Sequence, residues 1–442
     1  MSPTSPSELT DVAIIGAGLT GLSAAHRLEA QGRDYRVIER LSHVGGHAIT
    51  LEEAGYRFDR TGHLLHLRDP RTRERVLSWI GPHEEVQRRS AVFSHGVYTR
   101  YPYQANTFGL PPQVANDCLL GFIEAHFRKE KPEAKNFEEF CRLNFGDGIS
   151  DHFMIPYNCR LWGVHPKEIT AEWCQRFVPL PKLEDVVAGA VGLNDRELGY
   201  NTHFVYPEQG IGALPQGMLA ALPEASRAER LLLEAQIARV DSKRKKLHLS
   251  DGRAIEYRHL ISTAPLDVLL GLMDLPQQVA VAAKQLRCTH LYYLDVASRA
   301  PAGKPLHWAY VPEERYPFYR VGCYSNFSAA MAPEGGSCYY VELASREAPE
   351  LTQLLPEVTD GLVEMGLLPS AEALVFARLR RIDHAYVIFD HNYYGALNVI
   401  RPYLESQGII SAGRYGDWNY SSMEDALLFG ERAVDQLAEP KP

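Results

Sequence analysis

Apolar and polar positions at the start of the chain predict a strand, a helix and a second strand in succession. Residues 12–15 form a short apolar run, long enough for a fully buried strand. Apolar residues then recur at helical spacing from Leu22 to Leu28, and a second apolar run ends at Ile38. This order predicts a parallel βαβ unit.

Glycines occupy the turn between the first strand and the helix, where Gly16, Gly18 and Gly21 have the spacing G-x-G-x-x-G. In that spacing the first glycine allows a tight turn, the second lets the backbone approach a pyrophosphate, and the third lets helix and strand pack closely. Leu19 and Thr20 lie at the helix N-terminus, whose free N–H groups bind such an anion. The turn predicts dinucleotide binding, and a Rossmann-like turn without a nucleotide is the alternative.

An acidic residue and a second glycine pair narrow the choice of dinucleotide. Glu39 ends the second strand, where a carboxylate accepts from a ribose hydroxyl. Arg40 follows, and then Gly45, Gly46 and His47. A glycine pair after the ribose-binding strand is typical of chains that resemble the FAD proteins of the glutathione-reductase type, and ordinary NAD dehydrogenases lack it. We therefore expect FAD.

Later blocks predict a helical region and a region rich in strands and aromatic residues. The predicted fold class is α/β, with a Rossmann-type FAD-binding domain, an inserted helical domain and a mixed β-sheet substrate domain. We expect a disordered lead over 1–10, FAD-binding segments over 11–110, 183–288 and 401–442, a helical insertion over 111–182, a substrate sheet over 289–400, and a mobile loop over 183–205.

Composition excludes several classes of protein. The 442 residues are 23% charged and 45% hydrophobic, which is ordinary for a globular protein, and a net charge of −9 gives no reason to expect nucleic acid or anionic membrane as a partner. The N-terminus is polar, and no apolar run is long enough to predict a membrane span. Seven cysteines without C-x-x-C spacing favour a reducing cytoplasm. The 17 histidines form no metal-binding motif, so no metal is expected.

Several short segments combine glycine, aromatic and basic residues in a fixed order: residues 62–66, 101–106, 157–162, 307–308, 317–320, 325–327, 383–386 and 414–420. In order and spacing they resemble the flavin-dependent UDP-galactopyranose mutases, in particular the larger eukaryotic-type branch. These mutases share their scaffold with the amine-oxidase and protoporphyrinogen-oxidase flavoproteins. The resemblance runs discontinuously over nearly the whole chain.

The resemblance implies catalytic roles for four residues. His63 would lie against the flavin, and Arg414 would face it from a turn just before a helix. Arg176 and Arg320 would bind the diphosphate of a nucleotide sugar by bidentate, charge-assisted bonds that lysine cannot reproduce. Ordinary packing or surface positions are the alternative for each of these residues taken alone.

The resemblance also implies contacts to substrate and cofactor. Tyr386 and Tyr420 would donate to the phosphates, and Tyr157 and Trp162 would border the nucleotide base, with core packing as the alternative. The remaining expected substrate contacts are Gln104, Asn106 and Tyr319. The remaining expected cofactor contacts are Ile237, Gly413, Ser422 and Met423.

The implied activity is a redox-neutral interconversion of UDP-galactopyranose and UDP-galactofuranose, or of a close relative, with reduced flavin as the nucleophile. An external reductant such as NAD(P)H is then needed, and a homo-oligomer is left open. His47, Val387 and Ile388 depart from the family pattern, so base and sugar stay undetermined. The alternatives are an FAD-dependent oxidoreductase of the amine-oxidase or protoporphyrinogen-oxidase type and a non-catalytic flavin-binding protein.

Overall fold

The computed structural model describes residues 8–130, 132–172, 178–193 and 202–437. The described helices are α1 Leu19–Ala30, α2 Pro70–Ile80, α3 Pro112–His126, α4 Phe137–Ile149, α5 Ile155–Trp162, α6 Leu183–Ala190, α7 Ala213–Ala220, α8 Glu224–Arg230, α9 Leu266–Gly271, α10 Gln277–Ala283, α11 Leu351–Glu364, α12 Tyr393–Ser406, α13 Gly413–Gly416 and α14 Met423–Asp435. The described strands are β1 Glu8–Ile15, β2 Tyr35–Ile38, β3 Thr50–Glu53, β4 Tyr56–Asp59, β5 His83–Gln87, β6 Ser90–Ser94, β7 Val97–Arg100, β8 His203–Pro207, β9 Leu231–Leu232, β10 Ile237–Asp241, β11 Lys246–Leu249, β12 Ala254–Ser262, β13 Cys288–Ser298, β14 Trp308–Tyr310, β15 Phe318–Cys323, β16 Ser337–Leu343, β17 Leu374–Val387 and β18 Ile409–Ser411.

The first sheet has the predicted βαβ unit at its centre. Its strand order is β10-β11-β12-β1-β2-β9, with β18 beside β12. β1 pairs in parallel with β2, Ile14 opposite Val37, and with β12, Ala13 opposite Leu260. Val12, Ala13 and Ile14 are fully buried, as expected for a parallel strand covered on both faces. The strand, helix and second strand predicted from the apolar pattern are confirmed.

The second sheet is mixed, as the sequence predicted. Its order is β17-β13-β16-β15-β14-β6-β7, with antiparallel neighbours except for the parallel pair β14–β6. The hairpin β6–β7 turns at His95 and Gly96, where both residues have a positive φ. This hairpin lies far ahead of the other strands in sequence, yet it forms the edge of the sheet.

Helices α3, α4 and α5 make up the described part of the predicted helical insertion. A π-helix at Ser150–Met154 joins α4 to α5. Such insertions change the direction in which later side chains point. None of the described helices is long and apolar enough to cross a bilayer. The assignment of whole segments to domains stays a prediction.

Two expectations about irregular segments need correction. Residues 183–205 were expected to form a mobile loop, but α6 begins at Leu183 and β8 begins at His203, while 194–201 lie outside the described residues. A lone helix of eight residues gives little periodic signal, and β8 is fixed by its pairing with β5. The disordered lead was expected to reach residue 10, but β1 begins at Glu8, and residues 1–7 are outside the described part.

Gly21 offers a direct test of the βαβ packing. A Cβ atom at this position would overlap the carbonyl oxygen of Gly16. We expect Gly21→Ala to lower the free energy of unfolding by about 1–3 kcal/mol, because the overlapping atom is backbone and cannot rotate away. Thermal denaturation measures this. The matched control is Gly271→Ala, where a Cβ meets no atom within 4 Å; equal midpoints for the two variants would contradict the packing.

Candidate active site

The glycine turn after β1 forms a cradle in which side chains have no room. Gly16 has φ +96°, a conformation that favours glycine, and Gly18 is the N-cap of α1. Glu39 is buried at the end of β2, and its carboxylate accepts from the backbone N–H of Ala17 (2.8 Å) and of Leu41 (2.9 Å). The acid therefore sits beside the glycine turn, as the ribose assignment requires.

The second glycine pair packs directly on the first turn. Gly45 forms an isolated bridge with Gly18, and its N–H donates to the carbonyl of Ala17 at 2.8 Å. A Cβ on Gly46 would lie 3.4 Å from the Cα of Gly18. The residues after Glu39 and the residues after β1 are thus one continuous surface of backbone.

The C-terminal segment closes the cradle from a third direction. Gly413 has φ +92°, and a Cβ there would lie 2.8 Å from Oγ1 of Thr20. Ser422 caps α14 in a capping box with Asp425, and Met423 begins that helix. The N-terminus of α13 therefore lies against the first turn of α1, whose N-terminus favours negative charge.

The structure places the other predicted cofactor residues around this cradle. Leu19 is buried at the start of α1, and Arg40 is exposed. Ile237 begins β10, two residues after Ala235, whose N–H donates to the carbonyl of Glu39 at 2.8 Å.

Unpartnered polar atoms support a polar ligand beside the cradle. In the described part of the chain, Trp418 Nε1, Asn419 Oδ1 and Ser421 Oγ are buried side-chain atoms without a hydrogen-bond partner, and all three follow Gly413 closely. A buried polar atom usually has a partner. The backbone cradle, the acid and these free polar atoms fit a bound dinucleotide with a polar ring system.

His47, His63, Arg320, Tyr386 and Arg414 lie close enough to interact electrostatically, and we call the region around them the cleft. Burial, and next the positive charge of Arg414, lower the pKa of His63 to about 4. Burial also lowers the pKa of His47 to about 3, with Arg60 as the next cause. Both rings are therefore neutral at physiological pH.

Arg320 is held by a carboxylate that the sequence analysis did not single out. Arg320 on β15 lies opposite Glu342 on β16, and the guanidinium donates to both carboxylate oxygens, from Nε at 2.9 Å and from Nη2. The Glu342 side chain is fully buried, and that of Arg320 keeps 19% of its surface exposed. Burial disfavours the charge on Arg320, but Glu342 and the neighbouring tyrosines together outweigh burial and raise the pKa of Arg320.

Glu342 could have been found from its sequence position. β16 reads SCYYVEL, a buried run in which Glu342 is the one charged residue. Residues two apart in a strand share a face, so Glu342 lies on the face of Tyr340. A lone acid in a buried strand needs a partner, which is a signal for a basic residue on a neighbouring strand.

Tyrosines connect the two arginines of the cleft. Nη2 of Arg320 donates to the hydroxyl of Tyr386 at 3.1 Å. The ring of Tyr386 stacks on that of Tyr420, with centroids 6.2 Å apart, and the guanidinium of Arg414 lies 4.5 Å from the Tyr420 ring centroid. Arg414 also donates to the carbonyl of Ser421 at 2.6 Å. Arg320, Tyr386, Tyr420 and Arg414 therefore form one contiguous group.

Tyr157 and Trp162 on α5 pack against this group from the helical side. Tyr157 meets the ring of Tyr319 edge-on at 6.0 Å and stacks on Phe153 at 5.3 Å. Trp162 meets Tyr386 edge-on at 5.7 Å. The hydroxyl of Tyr319 is buried without a partner among the described residues. These rings form an aromatic wall beside Arg320.

Two residues that were predicted to contact the substrate donate hydrogen bonds from their side chains to backbone carbonyls instead. Nε2 of Gln104 donates to the carbonyl of Pro179 at 2.9 Å, and Nδ2 of Asn106 donates to the carbonyl of Pro102 at 2.8 Å. Arg176 lies outside the described residues. The chain before it is attached by the N–H of Thr170, which donates to the carbonyl of Phe389 at 2.8 Å. The roles of Gln104, Asn106 and Arg176 stay predictions.

The family is shown by sequence. The model for flavin-containing amine oxidoreductases matches residues 19–438, and the chain belongs to this family. The protein is therefore an FAD-binding member of a family of flavoenzymes, which agrees with the cradle described above.

Individual relatives narrow the resemblance. A probable UDP-galactopyranose mutase from Klebsiella pneumoniae is 23% identical over 177 residues, which are 38% of this chain and less than half, 44%, of that protein. A crystal structure of reduced UDP-galactopyranose mutase matches with a TM-score of 0.89 and 29% identity, over 96% of this chain and 93% of the other. A putative protoporphyrinogen oxidase from Exiguobacterium sp. 255-15 matches with a TM-score of 0.71 and 17% identity, over 97% and 98%, and shares the fold.

The neutral His47 ring predicts a pH effect on stability. In the unfolded chain a histidine takes up a proton near pH 6.5, whereas burial keeps the pKa of His47 at about 3 in the folded protein. Its contribution to stability is therefore complete above about pH 6.5 and is lost as the pH falls toward 3. We expect wild type to lose up to about 1.4 kcal/mol per pH unit more than His47→Gln below that point. Denaturant titrations at several pH values measure this, with exposed His391→Gln as control; equal slopes for wild type and His47→Gln would contradict the assignment.

Proposed function

We propose that the protein is an FAD-dependent sugar-nucleotide mutase that interconverts pyranose and furanose forms, with UDP-galactopyranose or a close relative as substrate. The observation that carries the proposal is the pair of Arg320 and Glu342 under Tyr386. Nε and Nη2 of Arg320 bind protein groups, and 19% of the side-chain surface stays exposed. A buried acid that fixes one edge of an arginine leaves the other edge oriented for an anion.

The ligand chemistry that fits this cleft is a nucleoside diphosphate sugar. Arg320 supplies a fixed positive charge, and the hydroxyls of Tyr386 and Tyr420 add neutral donors on the same side. Tyr157 and Trp162, expected to border the base, are buried, which favours core packing, the alternative given for them. Arg176 is the second proposed phosphate ligand.

The proposed reaction divides its tasks between the cofactor and the chain. Reduced FAD, when bound, supplies the electron pair that displaces the nucleoside diphosphate from the anomeric carbon. Arg320 and the tyrosines hold the departing diphosphate so that it can return to the same carbon. Arg414 and the N-terminus of α14 would favour the negative charge of the reduced ring system, and the N-terminus of α1 would bind the pyrophosphate. His63 is neutral, so its proposed role is to shape the cofactor side of the cleft.

Anaerobic turnover tests the function. The full chain loaded with FAD is reduced with dithionite, mixed with UDP-galactopyranose, and the sugar nucleotides are separated by chromatography. Conversion with reduced protein, and none with oxidised protein, is the expected result. Oxygen consumption with an amine or a porphyrinogen, without sugar conversion, would instead support the oxidoreductase alternative.

Arg320→Ala and Glu342→Gln test whether Arg320 binds the diphosphate of the substrate. Loss of a charge-assisted bond costs about 1.5–3 kcal/mol, so we expect Arg320→Ala to weaken UDP binding by about ten- to a hundred-fold while FAD stays bound. Glu342→Gln leaves a buried cation without its counter-ion, which is expected to lower stability by about 3–5 kcal/mol and to weaken UDP binding as well. Titration calorimetry with UDP measures the affinity, with Arg315→Ala, an exposed arginine paired with Glu364, as control. Wild-type UDP affinity in Arg320→Ala would contradict the proposal.

A second concave region suits the external reductant. A cavity of about 480 Å³ is lined by Arg88, Arg89 and Arg100 together with tyrosines. Of these tyrosines, Tyr101 has its ring centroid 5.1 Å from the guanidinium carbon of Arg88. The Tyr101 ring also contacts that of Tyr310, which in turn contacts Tyr157. Three cations and an aromatic face are groups that bind a phosphorylated dinucleotide. We propose that NAD(P)H enters here.

Arg89→Ala tests the reductant cavity. The Arg89 side chain is exposed in the cavity, so removal of its charge is expected to raise the NADPH concentration needed for half-maximal flavin reduction by about ten-fold or more. Stopped-flow reduction of bound FAD under anaerobic conditions measures this. Arg253→Ala, an exposed arginine paired with Asp251 elsewhere, is the control. Unchanged reduction kinetics in Arg89→Ala would place the reductant elsewhere.

A further inference from the structure

Thr61, two residues before His63, has a backbone conformation that threonine rarely adopts. Its φ is +65°, in the left-handed region, where a β-branched side chain is strained. Such a conformation persists when the surrounding structure enforces it, and it clusters at functional sites. The turn from Asp59 to Thr61 leads directly into Gly62 and His63, so whatever enforces this turn also fixes where His63 enters the cleft.

One tyrosine hydroxyl spans the strained turn. The hydroxyl of Tyr324, in the turn after β15, lies 2.6 Å from the carbonyl oxygen of Asp59 and 3.3 Å from that of Thr61. The N–H of Thr61 donates to the carbonyl of Asp59 at 3.1 Å. The Tyr324 side chain is fully buried in the second sheet. The second sheet therefore holds the turn that follows β4.

The carboxylate of Asp59 anchors the start of the same turn. It is buried, and it accepts from the hydroxyl of Thr50 (2.6 Å), the hydroxyl of Tyr206 (2.6 Å) and the N–H of Ile211 (3.1 Å). These donors come from β3, from β8 and from the segment before α7. Three elements distant in sequence thus converge on one side chain.

At the C-terminal end of the turn, Gly62 packs closely against the second sheet. A Cβ on Gly62 would lie 2.6 Å from the hydroxyl of Tyr340, so the backbone rests directly on the second sheet. The chain beyond is pinned by the pairing of Leu65 with Val205. His63 lies between these two contacts, which restrict the position of its backbone.

We propose that Asp59 and Tyr324 are positioning residues that hold Thr61 in its left-handed conformation and thereby set His63 against the flavin. This rests on the proposed place of His63 beside the cofactor. It does not depend on the substrate, because the contacts involved lie on the cofactor side of the cleft. Among the described residues, the hydrogen bonds of the Asp59 and Tyr324 side chains involve none of Arg320, Tyr386, Tyr420 and Arg414.

The visible absorption spectrum and the midpoint potential of bound FAD test the proposal. We expect Tyr324→Phe, which removes the hydroxyl alone, and Asp59→Asn, which replaces an acceptor by a donor, to shift both quantities while FAD stays bound. The matched control is Tyr257→Phe, a buried tyrosine of β12 whose hydroxyl has no partner among the described residues, and it should match wild type. A wild-type spectrum and potential in Tyr324→Phe, even with a lowered melting temperature, would overturn the proposal.

Thr61→Gly tests whether Tyr324 affects the flavin through the turn at Thr61 or by another route. Glycine adopts φ +65° without strain, so the turn then needs less support. We expect the double variant T61G/Y324F to recover at least about half of the spectral shift seen in Tyr324→Phe. An undiminished spectral shift in the double variant would show that Tyr324 does not act through Thr61. A wild-type spectrum in His63→Ala would show that His63 does not lie against the flavin. Both readouts are independent of sugar conversion, so failure of the mutase proposal leaves this test intact.

Discussion

The buried ion pair between Arg320 and Glu342 is the interaction on which the substrate side of the structure depends. A carboxylate without exposed surface is stable in a sheet when a cation satisfies it, and here the cation lies on the neighbouring strand. The pair fixes the guanidinium, and the guanidinium in turn holds the hydroxyl of Tyr386. Trp162 and Tyr420 then pack on Tyr386. One strand register therefore sets the positions of three aromatic side chains.

On the cofactor side, glycine residues determine the structure, as the ion pair does on the substrate side. The backbones of Gly18 and Gly45 pair directly, and Gly413, far along the chain, lies against the side chain of Thr20. A backbone surface of this kind presents N–H groups to an anion at the N-terminus of α1. The same family fold carries oxidases and mutases, so the cradle defines the cofactor, and the groups of the second sheet define what reacts there.

Local patterns in the sequence were sufficient to predict the cradle. β1, the glycine turn, α1, β2 and Glu39 lie within one short stretch, and each has a distinct signal of period or composition. The mixed second sheet could be predicted as a class, but its strand order could not. Glu342 and Tyr324 act through partners more than twenty residues away, and such pairings depend on register, which a single sequence does not show. The helix α6 was missed because eight residues give a weak periodic signal, and Arg176 lies outside the described residues, so its role stays a prediction.

A crystal structure of the reduced, FAD-loaded protein with UDP bound tests the central claim most directly. The account predicts a phosphate oxygen within about 3 Å of the Arg320 guanidinium, with the bonds to Glu342 retained and the diphosphate between Arg320 and the flavin. A UDP molecule bound away from the cleft, or an Arg320 side chain that leaves Glu342 and turns to bulk solvent, would contradict it.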